Sequence, residues 1–203
     1  MIRTIVAAAL AGAVLQAGAL RAQDSDNHGL MLGLHAVPMG LDGVGEETFS
    51  EQGMGLGFTL GWGFNDRVAL YGTVDGGSIQ YDPENPAAVG EDYQALTVDL
   101  GARVNLGNEF MRMRPFINAA ISGVVTSENS EELGGEAVTS GGGLTVGGGF
   151  QYFYRYRWAL LASVQATMGA FTETNVADQA ILYTRGIPYS HYRVQLGAMW
   201  HPW

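Results

Sequence analysis

The sequence predicts an all-β protein, a closed eight-stranded antiparallel up-and-down transmembrane β-barrel, and three observations carry that expectation. Apolar residues alternate along the chain in units of about ten residues, the length a tilted strand needs to cross hydrocarbon. The connections between those units alternate between short and long. Past the N-terminal segment there is no run of about 18 apolar residues that would make a transmembrane helix.

Composition bounds the class. The chain has 203 residues, which suits one domain, with 47% hydrophobic residues, 30 Gly and only 15% charged residues. Cysteine is absent, so a disulfide scaffold, a thiol nucleophile and Cys-ligated metal centres are excluded. The histidines His28, His35, His191 and His201 lack the close spacing of a metal motif. No metal and no cofactor are expected.

Residues 1–22 read as an export signal and 23–203 as the single barrel domain. Arg3 supplies the positive start, and Ile5 to Leu15 is an apolar stretch too short to span a bilayer. Cleavage after Ala19 satisfies the small-x-small rule of Ala17-Gly18-Ala19. Cleavage after Ala22 leaves the polar start Gln23-Asp24-Ser25, and is preferred for it.

The first strand is expected over Leu30 to Pro38, with Leu30, Leu32, Leu34 and Ala36 opposite Met31, Gly33, His35 and Val37. The second, Gly53 to Phe64, is the most diagnostic. Met54, Leu56, Phe58, Leu60, Trp62 and Phe64 share one face, and the other holds only Gly and Thr. A soluble strand would need a charged face for water; this one suits lipid outside and a crowded interior.

A two-residue turn at Asn65-Asp66 leads into the third strand, Arg67 to Ser78, where Val68, Leu70 and Val74 alternate with Tyr71, Thr73 and Asp75. The fourth, Tyr93 to Leu106, sets Leu96, Val98, Leu100, Ala102 and Val104 against Thr97, Asp99, Gly101, Arg103 and Asn105. Three more are expected over Arg114 to Thr126, Gly141 to Arg155 and Trp158 to Phe171. The last, Tyr189 to Trp203, sets Tyr192, Val194, Leu196, Ala198 and Trp200 against Arg193, Gln195 and Gly197. An even number of such strands closes a sheet and leaves no unpaired edge in lipid.

Connections after strands two, four and six are short: Asn65-Asp66, Gly107 to Met113, and Tyr156-Arg157. Those after strands one, three, five and seven are long: Met39 to Gln52, Ile79 to Asp92, Ser127 to Ser140, and Thr172 to Pro188. Short periplasmic turns opposite long external loops put both termini in the periplasm. Of the 20 acidic residues, 14 fall in the long loops, whereas Arg67, Arg112, Arg114, Arg155 and Arg157 cluster at the short turns. With net charge −10 before loss of Arg3 and Arg21, nucleic acid is excluded as a partner. Trp62, Phe64, Tyr152, Tyr154, Trp158 and Trp200 form an expected girdle at the short-turn end, with Tyr93, Phe171, Tyr189 and Tyr192 at the other.

This pattern, with the C-terminal strand YRVQLGAMWHPW, resembles the small eight-stranded outer-membrane barrels of the OmpX, OmpA-barrel and OmpW type, the outer membrane protein β-barrel domain family. The resemblance covers about Leu30 to Trp203 and contains no catalytic motif. It implies a monomer in the outer membrane, in contact with lipid and lipopolysaccharide. It also implies that the last strand is read by the barrel-assembly machinery. Tyr192, Val194, Leu196, Ala198 and Trp200 match that insertion signal, and Trp203 supplies a terminal aromatic one residue out of phase.

Eight strands enclose a lumen only wide enough for side chains. Buried charges must pair, so His35, Asp75, Asp99, Arg103 and Arg193 are expected to form an internal network that plugs the barrel. The Gly face of the second strand is expected to give Arg103 and Arg193 room. The expected function is structural or surface-interacting and non-enzymatic. One alternative is an OmpW-like conduit or carrier for small hydrophobic molecules, which needs an apolar lumen. The other is a lipid A-modifying enzyme using Ser190-His191, but adjacent strand residues face opposite ways and no nucleophile motif surrounds them.

Overall fold

The computed structural model describes residues 28–43, 49–80, 93–107, 111–130, 135–176 and 179–202. The predicted export signal and Trp203 lie outside them. Eight strands follow in order: β1 (Gly29–Gly43), β2 (Phe49–Gly63), β3 (Val68–Gln80), β4 (Tyr93–Asn105), β5 (Met113–Ser130), β6 (Gly135–Arg155), β7 (Trp158–Val176) and β8 (Gln179–Trp200). Each pairs antiparallel with its neighbours, and β8 returns to β1 to close the barrel.

The short turns are made by local chemistry. The Asn65 side-chain oxygen accepts from the backbone N–H of Arg67 at 2.9 Å and of Val68 at 2.8 Å, folding the chain back without a special backbone conformation. Tyr156-Arg157 is a two-residue turn between β6 and β7. Gly29 pairs with Gly63 and Trp158 with Trp200, so the described ends of β1 and β8 lie at this turn end.

At the opposite, loop end the strands run further than the sequence pattern predicts. β1 continues to Gly43 and β2 starts at Phe49, which takes up much of the expected loop Met39 to Gln52. The expected loops Ser127 to Ser140 and Thr172 to Pro188 are largely strand as well, since β5 pairs with β6 out to Ser130↔Gly135 and β7 with β8 out to Val176↔Gln179. Alternation reports the part of a strand that meets lipid; hairpin pairing goes on beyond it, driven by backbone hydrogen bonds in β-prone sequence such as Ile181-Leu182-Tyr183-Thr184. Most of the expected loop Ile79 to Asp92 lies outside the described residues. Pro38 sits within β1, and there the ladder to β8 skips from Ala36↔Leu196 to Met39↔Arg193, because proline has no N–H to donate.

Side chains alternate across the wall as the pleat requires. Leu34 is 69% exposed, Leu56 75% and Leu100 65%, while inward neighbours such as Met31, Thr73 and Arg193 are buried. A continuous apolar outer surface of this kind is unsuited to water and matches a hydrocarbon belt.

Candidate functional site

The interior is layered. At its middle is a belt of polar side chains contributed by every strand of the barrel, including His35, Thr59, Asp75, Asp99, Ser122, Thr145, Gln165, Arg193 and Gln195. Toward the loop end an apolar cluster of Val37, Met39, Leu41, Ile79, Ala95, Val124 and Tyr189 fills the lumen, with Tyr93 and Phe171 packed against it. Toward the turn end a second cluster joins Met31, Ala69, Phe116, Leu161 and Met199. The sequence expectation of a mainly polar plug is corrected here. The inward positions at both ends of the strands are apolar, and they shield the belt from water.

Arg193 organises the belt. Its Nη1 donates to Asp75 Oδ2 at 2.8 Å and its Nη2 lies 2.8 Å from Asp99 Oδ2. The same Nη2 donates to Thr167 Oγ1 at 3.2 Å and Thr145 Oγ1 at 3.3 Å. β8 and β4 stand on opposite sides of an eight-strand ring, so this arginine spans the lumen. His35 Nε2 contacts the other Asp75 oxygen, Oδ1, at 2.8 Å, and Gln195 Nε2 donates to Asp75 Oδ2 at 3.1 Å. Gln195 in turn accepts from Ser163 and Gln165, each at 3.0 Å. All four charged or titratable groups have side-chain exposures of zero, so their charges depend on one another, while His35 Nδ1, Asp99 Oδ1 and Arg193 Nε have no hydrogen-bond partner among the described residues.

Four of the five residues expected in the network, His35, Asp75, Asp99 and Arg193, thus lie in one connected cluster. Arg103 does not. It sits nearer the turn end, its guanidinium 4.2 Å from the Phe116 ring centroid and 5.5 Å from that of Tyr71, and Nη1 donates to Met199 Sδ at 3.5 Å. Asp99 and Arg103 are four positions apart along β4, with the inward Gly101 between them, so one strand points them at different layers.

The glycines of β2 also act differently from expectation. A Cβ on Gly57 would lie 2.1 Å from Asp75 Oδ1 and 2.2 Å from His35 Nε2. One on Gly61 would lie 2.6 Å from Met31 Cε. The space is taken by neighbours on β1 and β3 rather than by Arg103 or Arg193, since cross-strand side chains approach within about 5 Å. Thr145, Thr167 and Gln195 were not expected as members of the network, although all three lie on inward-facing positions. Their signal was inward phase on β6, β7 and β8, and only the tertiary arrangement shows that Thr145 and Thr167 meet Arg193 while Gln195 meets Asp75.

Other expected positions fall as follows. Tyr192, Leu196 and Trp200 of the insertion-signal strand are exposed on the outer face, with Val194 and Ala198 in phase with them. Tyr189 is buried and Tyr93 and Phe171 are partly buried in the loop-end cluster, so of the expected second girdle only Tyr192 faces outward. Arg114, expected at the rim, is 1% exposed and stacks 5.0 Å from the Phe153 ring centroid inside the barrel. Ser190 and His191 sit on opposite faces of β8, and buried His191 has Nδ1 3.3 Å from Thr97 Oγ1. Among the described residues no cluster of His, Asp and Glu is arranged to hold a metal ion.

Fold and lumen together define an integral membrane β-barrel with a lipid-facing exterior and a side-chain-filled core. The family model of the outer membrane protein β-barrel domain matches residues 5–200, and the chain belongs to that family. Among solved structures it is similar to Neisserial surface protein A, with 16% identity, a TM-score of 0.59, and coverage of 84% of this chain and 96% of that one. It is similar to the outer membrane protein OprG of Pseudomonas aeruginosa at 10% identity and a TM-score of 0.58, covering 87% and 97%. The attachment invasion locus protein Ail of Yersinia pestis gives 11% identity and a TM-score of 0.51, covering 85% and 99%. At such identities these likenesses describe the fold alone. No curated protein sequence matches the chain.

Proposed function

We propose that this outer-membrane barrel is sealed by its own side chains and serves the envelope as a structural or surface-interacting protein, without enzymatic activity. The observation that carries the reading is the Arg193 cluster held between two apolar layers. A water-filled path would have to run through both layers, and a solute would have to displace paired charges whose separation costs several kcal/mol. In this reading the short turns face the periplasm, the acidic loop end faces outward, and the barrel is a monomer surrounded by phospholipid and lipopolysaccharide.

In planar bilayers the purified protein is expected to give no ohmic current of the size of an aqueous pore. A large, sustained conductance from the wild-type chain would overturn the sealed-lumen reading. Protease added to intact cells is expected to cut only in the long connections; cleavage at Asn65-Asp66 from outside would reverse the orientation.

One observation favours a second reading, a carrier of small hydrophobic molecules. The loop-end cluster of Val37, Met39, Leu41 and Ile79 is an apolar mouth. Such a ligand would meet the charged belt directly beneath, which has no apolar surface to receive it.

A further inference from the structure

Charge is unevenly placed around the turn end. On the β2–β3 side, Asp66 stands beside Arg67 in the same turn and lies 3.9 Å from His28 Nε2. On the β5–β8 side the composition is different. Arg112 precedes β5, Arg155 ends β6 and Arg157 occupies the β6–β7 turn; the last two are exposed and Arg112 is half-buried. None of the three has a carboxylate within ion-pair distance among the described residues.

The backbone ties these arginines into one patch. Phe153 N donates to Arg112 O at 2.7 Å, and His201 N donates to Arg157 O at 2.8 Å. Arg155 pairs with Trp158, and Trp158 pairs with Trp200 across the next ladder. The two indoles stack with centroids 6.0 Å apart and planes inclined by 21°. Trp158 and Trp200 remain exposed on the outer wall, as do Tyr154 and Tyr156, and the Arg157 guanidinium lies 6.0 Å from the Tyr156 ring centroid.

Exposed Trp and Tyr rings on a membrane barrel settle at the headgroup level, which places the neighbouring guanidiniums at the depth of the lipid phosphates. A guanidinium presents a planar fork of donors that matches two phosphate oxygens, and among the described residues no carboxylate competes for these three. We propose that the Arg112, Arg155, Arg157 rim, backed by the Trp158–Trp200 stack, is a binding site for the phosphodiester headgroup of an anionic glycerophospholipid in the leaflet at the turn end. The arginines hold the phosphate, and the stacked indoles cover the glycerol and the first acyl carbons. Attraction of a basic side chain to an anionic lipid surface is worth about 1 kcal/mol per residue, or about fivefold in affinity.

The inference rests on membrane embedding of the barrel, which insertion of the mature chain into phosphatidylcholine vesicles tests separately. For the site itself, the refolded chain in micelles doped with equal phosphatidylglycerol and phosphatidylcholine is analysed by native mass spectrometry. The wild type is expected to retain phosphatidylglycerol over phosphatidylcholine. The variant R112Q/R155Q/R157Q should lose that preference by at least about fivefold, and R67Q should keep it. Gel mobility of unboiled against boiled protein reports folding; should the triple variant not fold, R157Q alone is expected to reduce the preference by roughly two- to fivefold. Equal retention of the two lipids by the wild type would overturn the site. So would a preference unchanged in the folded variant, or its complete abolition by millimolar inorganic phosphate, which would mean a general anion patch.

Discussion

Replacing Arg193 with methionine is expected to destabilise the barrel by about 3–5 kcal/mol, the largest effect of any single substitution in the lumen. The substitution removes a guanidinium that contacts Asp75 and Asp99 at 2.8 Å each, on two different strands. Both carboxylates would stay buried, with no water to solvate them and one cation fewer to balance them. Urea titration of the folded, slow-to-shift gel band in detergent or lipid reads the loss directly. The triple variant R193M/D75N/D99N should recover most of it, since neutral amides no longer need the cation. A single variant as stable as wild type would mean that the belt is hydrated and that the sealed lumen is wrong.

The second large effect is expected at Gly57. Alanine there puts a methyl 2.1 Å from Asp75 Oδ1 and 2.2 Å from His35 Nε2, inside the van der Waals radius of both. Neither partner moves freely. His35 is fixed by the β1 backbone, and Asp75 is held on its other oxygen by Arg193 and Gln195. Overpacking and loss of a charge-assisted hydrogen bond together set the cost at about 3 kcal/mol. Gly123 is the control. It faces outward with nothing within 4 Å of its would-be Cβ, so Gly123→Ala is expected to change stability by less than about 1 kcal/mol. Equal effects at the two glycines would show that the cost lies in backbone freedom rather than in the cluster.

The fold was highly legible from the chain because the membrane imposes a simple rule. Every residue of a spanning strand faces either lipid or lumen, so Met54 to Phe64 or Leu96 to Val104 announce their strand, their phase and their outer face by alternation alone. The turns Asn65-Asp66 and Tyr156-Arg157 were legible for the same reason, since alternation stops there for only two residues. The strand ends at the loop side were not. Beyond hydrocarbon the wall meets water on both faces, alternation carries no penalty when it fails, and the pairing of Ser130 with Gly135 or Val176 with Gln179 leaves no apolar signature.

The interior was legible by residue type and not by partner. That Asp75, Asp99 and Arg193 point inward follows from phase; that buried charges must pair follows from solvation. Which charges pair depends on register and on height along the barrel. Arg103 is in phase with Asp99 on β4, yet it stacks on Phe116 and Tyr71 in the turn-end layer, while Arg193 reaches Asp99 from the far side.

By itself the sequence determined the number of strands, their order, the face each turns to lipid and the inventory of the lumen, because these depend on local periodicity and on the insolubility of unpaired backbone in hydrocarbon. Tertiary structure alone decided how the inventory is arranged: one cation bridging two carboxylates across the ring, apolar layers above and below, and a glycine opposite the His35–Asp75 contact. Those choices are set by the stagger between strands that are distant in sequence, where a shift of one register position would move every luminal group to a new neighbour.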